Sequence, residues 1–251
     1  MPGGSWDIAR RFGGLIAVAA IFAVWELASS LLRSAALPPP PEVCVSLFEM
    51  RDALLTHLLA SALRVVYALS LALSLAVPLG LLSKEEPIDR LLSPIIYLLY
   101  PIPHIVLLPL IIMIFGIGEA SKVFMIAMIV FFQILVTTRD ASKSISEYYI
   151  YSLRSLGASK MDVYRHVIFP ACLPKVMTAL RISVGTSIAV LFFVESIATS
   201  KGLGYLILDC WSRMDFAAMY AAMLTMAALG FALYTIIERV EKRVCRWVYV
   251  S

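Results

Sequence analysis

The chain has 251 residues, 61% of them hydrophobic and 15% charged, with a net charge of +4. A soluble domain carries about 45–50% apolar and about 25% charged residues, so lipid must solvate much of this surface. That excludes an ordinary soluble domain, and no basic patch interleaved with exposed aromatics points to a nucleic-acid partner. An all-α, polytopic membrane protein is the expected fold class.

Six segments are apolar enough to cross a bilayer, each near the required ~17–25 residues. They are residues 14–32, 65–83, 91–115, 123–138, 176–199 and 216–237 of one transmembrane domain, 1–251. The first follows Arg10 and Arg11 and is longer than the ~7–15 apolar residues of a signal peptide, so it is expected to be retained as a span. The third carries Pro94, Pro101, Pro103 and Pro109. Proline removes an intrahelical hydrogen bond, so this span is either a kinked buried helix or a broken helix bordering a pathway. With both termini inside, 15 of the 21 lysines and arginines fall on the inner side, which the positive-inside rule favours. Cys44 and Cys210 then share the outer side, where a disulfide is geometrically open to them.

Between spans four and five lies a long basic segment, residues 139–175, on the expected cytoplasmic face. Ser144-x-x-Glu147 fits a capping box. Ile145, Tyr149, Leu153 and Leu156 then share a helix face, and Gly157 supplies a left-handed stop. Ser159 with Asp162 reads as a second helix start, Met161, Tyr164 and Ile168 form its apolar face, and Pro170 ends the pattern. The result is a helix–glycine–helix elbow. By composition alone it lies on anionic lipid, caps the bundle, forms a solvated loop, or docks a soluble partner.

Other polar residues stand out inside apolar runs. Glu195, at the outer end of span five, is either a functional carboxylate or an interface anchor. Thr186, Ser187 and Ser196 share its helix, where packing serines and threonines are equally common. His104 follows Pro101-Ile-Pro103 and reads first as a packing histidine. No G-x-x-x-x-G-K-[ST] loop, metal-ligand spacing or nucleophile–base set is present, so the chain is expected to bind no ATP, metal or other cofactor and to be no enzyme.

Gly157-(nine residues)-Val167-Ile168-Phe169-Pro170 resembles the G-x9-I-x-L-P core of the coupling loop in permeases of ATP-binding-cassette (ABC) importers. LPPPPEV, HLLASALRVVYAL, YPIPHIVLLPLIIMIFGIGEASK and ESIATSKGLGYLI extend the resemblance to nitrate/sulfonate/taurine-type permeases, over about residues 10 to 245. The loop's acidic–alanine–alanine triplet falls on Tyr151, Ser152 and Leu153, a departure from the pattern. The resemblance implies a type I importer permease fold in the inner membrane. It implies a homodimer or closely related heterodimer, a cytoplasmic ABC ATPase as motor, and an extracytoplasmic binding protein delivering a small anionic solute. Leu156, Gly157, Ala158 and Ser159 would form the ATPase contact, with Arg154, Arg165 and Pro170 beside it. His104, Thr186, Ser187, Glu195 and Ser196 would border the translocation path. An ion-gradient-driven secondary transporter is the alternative; it would need intramembrane carboxylates or broken helices that hold the ion.

Overall fold

The computed structural model describes residues 4–197 and 199–248, and the regular structure among them is helical. The expected domain limits at 1 and 251 lie outside these residues, as do the side chains of Arg10 and Arg11. The helices are α1 (Gly4–Leu32), α2 (Pro40–Glu49), α3 (Arg51–Leu82), α4 (Glu86–Leu99), α5 (Leu108–Phe115), α6 (Glu119–Lys143), α7 (Glu147–Ser155), α8 (Lys160–Val163), α9 (Phe169–Glu195), α10 (Leu203–Ser212) and α11 (Phe216–Val244). By length and composition α3, α6, the run Lys160–Glu195 and α11 can each cross a bilayer, and α4 with α5, bent against each other, make either a fifth, broken span or a re-entrant loop. The apolar stretch Ile16–Leu32 within α1 is shorter.

The centre of the bundle is α3 against α6 and α9. On α3 the small residues Ala68, Ala72, Ala76 and Gly80 recur every fourth position, and all are buried. Such a stripe lets backbones approach closely where lipid gives helices no hydrophobic reason to associate. A Cβ at Gly80 would lie 2.6 Å from Cβ of Thr138 on α6, and Ser142 Oγ donates to the Gly80 carbonyl at 2.9 Å. Met125, Ile126, Val130 and Ile134 of α6, with Val184, Leu191 and Val194 of α9, fill the remaining core. Asp89 fastens α4 to α6 by accepting from Arg139 at 2.6 and 3.1 Å and from Lys143.

The proline-rich third segment is broken. After Tyr100 the chain turns by 81° through Pro101-Ile-Pro103 and resumes in a 3-10 turn, His104–Leu107, that leads into α5. Prolines at the break have no N–H to leave unpaired there, which makes it the cheapest place to interrupt the helix.

Two local expectations need correction. Ser144 caps no helix start: α6 runs on to Lys143, Ser144 Oγ donates back to the Ala141 carbonyl at 2.8 Å, and Ser146 takes the cap of α7 by accepting from Tyr148 N. Nor does Pro170 end the second elbow helix. A π turn over Tyr164–Ile168 carries α8 into α9, so Lys160–Glu195 is one run of 36 residues. In that turn the Phe169 N–H bonds the Tyr164 carbonyl five residues back, and Pro170, which has no N–H to place, follows in the first turn of α9. The wider turn absorbs the proline without a break.

Candidate functional site

The elbow is built by local rules that differ at its two helix ends. Gly157 terminates α7 at φ +87°, a left-handed conformation with no atom near where a side chain would project. Two residues on, Ser159 and Asp162 form a reciprocal capping box: Ser159 Oγ accepts from Asp162 N at 3.2 Å, and Ser159 N donates to Asp162 Oδ2 at 3.0 Å. The tip therefore has a fixed shape, and it projects: Leu156 is 83% exposed. Arg154 and Arg165 are exposed on either side, and Pro170 is half-buried at the foot of α9.

A small core of its own holds this elbow. Ile150 of α7 and Val163, Ile168 and Cys172 of the following run are buried together against Leu81 and Ala141. The face expected from spacing is only partly the buried one, since Tyr149 and Met161 are exposed and Ile150 takes the inward place. Polar ties to the α3–α4 turn add direction. Lys84 pairs with Glu147 at 2.7 Å and Lys160 with Glu85 at 3.0 Å, while Tyr164 donates to Glu85 at 3.3 Å. Beside the elbow an open groove of about 780 Å³ runs from Tyr149 and Leu156 past His166 and Lys175 to Trp247. At Tyr151, Ser152 and Leu153, Tyr151 is exposed and Leu153 packs on the elbow core.

At the far end of the bundle sits a charge cluster that spacing does not reveal. Glu195, at the end of α9, is fully buried. It accepts from Ser61 Oγ at 2.8 and 2.9 Å, from Arg64 Nη1 at 2.6 Å and from Gly204 N at 2.9 Å. Arg64 in turn grips Glu119 of α6 through Nε and Nη2 at 2.6 and 2.5 Å and donates to the Lys201 carbonyl at 2.8 Å. The turn before α10 is drawn into the same cluster, with Gly202 N donating to His57 Nδ1 and Leu203 N to Ser61 Oγ. Gly202, at φ +128°, and Gly204 are needed there: a Cβ on Gly204 would meet Cβ of Glu195 at 2.8 Å and the Phe192 carbonyl at 2.9 Å. This explains Gly202-Leu-Gly204 as a close approach to a buried carboxylate.

The remaining path candidates divide. His104 opens the turn after the helix break, stacks on Phe132 at 4.9 Å, and lines a mostly apolar cavity of about 300 Å³ with Ile129, Ala189 and Phe193. Thr186 is half-buried and accepts from Gln133 Nε2 at 3.1 Å, and Gln133 Oε1 accepts from Ser183 at 3.2 Å. Ser187 is buried with its hydroxyl on the Ser183 carbonyl, and Ser196 bonds the Phe193 carbonyl. The residues that sequence reasoning passed over are Arg64, Glu119, Ser61 and Gln133. Gln133, alone in an apolar stretch, was the one with a visible signal. Among the described residues no three His, Cys, Asp or Glu side chains group as metal ligands, and the four cysteines are free, Cys44 exposed and Cys210 buried.

Residues 68–246 match the family described as "binding-protein-dependent transport system inner membrane component". The taurine transport system permease protein TauC of Escherichia coli (strain K12) is 31% identical, covering 96% of this chain and 92% of that protein. The formylaminopyrimidine transport permease protein ThiX of Halalkalibacterium halodurans is 26% identical over 90% and 92%. In fold the chain is similar to a chain of the MetNI methionine ABC transporter in an inward-facing crystal form, with a TM-score of 0.67 at 18% identity, covering 78% of this chain and 98% of that one. The chain thus belongs to the inner-membrane components of binding-protein-dependent transport systems, the permeases of ABC importers.

Proposed function

We propose that the chain is the permease subunit of an ABC importer, paired with a second copy or a close relative, that forms the path for a small anionic solute. A separate cytoplasmic ATPase docks on the elbow, and an extracytoplasmic binding protein delivers the solute to the far end. The observation that carries this reading is the elbow tip, Leu156 to Ser159: exposed except for the half-buried Ala158, capped on both sides, and joined without interruption to the helix that crosses the bundle. The charge bias favours a cytoplasmic location for this end. Sulfonates and taurine are the favoured solute class because TauC is named for taurine transport. A heterocyclic precursor is the competing class, since ThiX is named for formylaminopyrimidine transport.

The ion-gradient alternative would need a buried acid available to the ion. Among the described residues the buried carboxylates Asp89, Glu195 and Glu241 each lie against an arginine: Arg139, Arg64 and Arg181 respectively. An acid neutralised in this way has little left with which to coordinate a coupling ion.

The test is reconstitution of the permease with its cassette ATPase and binding protein in liposomes. Uptake of a radiolabelled sulfonate that requires internal ATP and the binding protein supports the reading. Uptake driven by a sodium or proton gradient without ATP overturns it.

A further inference from the structure

The run Lys160–Glu195 joins the two charged ends of the molecule. At 36 residues it is about 54 Å long. Its foot is irregular, because the π turn at Tyr164–Ile168 and Pro174 both interrupt the i→i−4 ladder there. Its head is held. One guanidinium, that of Arg64 on α3, takes the Glu195 carboxylate at the tip of α9 with one nitrogen and the Glu119 carboxylate on α6 with the other two. The same Nη1 also donates to the Lys201 carbonyl, and the Ser61 that holds Glu195 receives the Leu203 N–H, so α10 begins on this clamp. Arg64 is only 2% exposed, whereas the Glu119 side chain is 67% exposed. The arm to α9 is therefore shielded from water and salt, and the arm to α6 is not.

We propose that Arg64 is a positioning residue of the transport cycle: it fixes the head of α9 to α3 and α6, so that displacement of the elbow reaches α10 as rotation about the clamp. A helix with a loose head would take up a push at the elbow by sliding or by bending at the irregular foot. With the head fixed, the same push turns α9 about the clamp on α3 and α6 and tilts α10, which begins at Lys201–Leu203 on that clamp. This rests on the elbow being the ATPase contact.

The test uses the complete transporter, permease with ATPase and binding protein, in nanodiscs for distances and in liposomes for uptake. Spin labels are placed at Met161→Cys on the elbow and, separately, at Trp211→Cys on α10, each paired with one at Met113→Cys on α5. All three positions are exposed. Distances are measured with and without a trapped ATP analogue, in the parent and in Arg64→Lys. Lysine keeps the charge but cannot hold two carboxylates with one planar fork.

In the parent both label pairs are expected to shift. In Arg64→Lys the elbow pair shifts as before, the α10 shift falls by at least half, and uptake drops at least tenfold with ATP hydrolysis within twofold. Glu119→Gln, which spares the buried arm, retains most of the α10 shift. An Arg64→Lys transporter whose α10 shift and uptake match the parent overturns the proposal. So does one that loses elbow and α10 shifts together with a fall in melting temperature, since that is a purely structural role. No nucleotide-dependent shift at the elbow of the parent overturns instead the docking reading on which the proposal stands.

Discussion

Arg64 and Glu195 lie 131 positions apart in sequence and meet at 2.6 Å, the arginine 2% exposed and the carboxylate not at all. The loss is unequal: without Arg64 the buried Glu195 has no counter-charge, whereas without Glu195 the guanidinium keeps Glu119 on its exposed side.

The stability cost of breaking the pair should be large. Losing one member of a buried ion pair costs about 3–5 kcal/mol, which corresponds to a melting-temperature drop on the order of 10 °C for a chain of this size. Arg64→Ala, which leaves the Glu195 carboxylate without a counter-charge, is expected to show it in a thermal scan in detergent, and Glu195→Ala to lose less because Arg64 keeps Glu119. Glu195→Gln should lose less, because its amide oxygen can still accept from Ser61 or Gly204 N. Equal melting temperatures for Arg64→Ala and the parent would show that the pair contributes nothing net.

Two glycines with positive φ should respond differently to the same substitution. Gly116, at φ +76° and ψ 174°, has nothing within 4 Å of where a Cβ would stand, so Gly116→Ala meets only backbone strain of about 1–3 kcal/mol. At Gly202, φ +128°, an added Cβ falls 2.5 Å from Glu195 Oε1 and 2.6 Å from Arg64 Nη1. Gly202→Ala must therefore displace the ion pair as well, and should lower the melting temperature by at least twice as much as Gly116→Ala.

Gly157 tests the elbow tip. Its surroundings are open and its φ is +87°, so a β-branched residue is disfavoured by conformation alone. Gly157→Val should still insert, melt a few degrees below the parent, and lose at least tenfold in ATP-dependent uptake because the tip no longer turns. Gly157→Asn should retain more uptake, since asparagine visits the left-handed region more readily. Parent-like coupled uptake in the valine variant would remove the tip from the docking surface.

What could be read from the sequence was what local rules govern. Gly157 and the Ser159–Asp162 box obey contacts a few residues apart, and both stand in the structure as the residue types require. The Ser144 box satisfies the same spacing but is pre-empted: α6 runs up to Lys143 with Ser144 as its C-cap, and Glu147 is drawn to Lys84, which is remote in sequence. Nothing near Pro170 signals that a π turn will carry the helix past it. The clamp is harder still, because Arg64, Glu119 and Glu195 belong to three helices whose meeting is set by the Ala68–Gly80 stripe rather than by any spacing among the charges. The one trace of it in sequence is the pair Gly202 and Gly204 close behind a lone acid.

Sidedness is testable with a native residue. Cys44, on α2 at the end of the bundle away from the elbow, is exposed, whereas Cys172, Cys210 and Cys245 are buried. Burial also pushes the Cys210 and Cys245 thiols above their ordinary pKa, which lowers the fraction of reactive thiolate at neutral pH. A membrane-impermeant maleimide added to spheroplasts should therefore modify one thiol per chain, and Cys44→Ser should abolish the signal. If the elbow end faces the cytoplasm, that thiol is open to the outside in intact spheroplasts. Labelling of Cys44 only in inside-out vesicles would reverse the orientation and place the elbow on the wrong side of the membrane for a cytoplasmic ATPase.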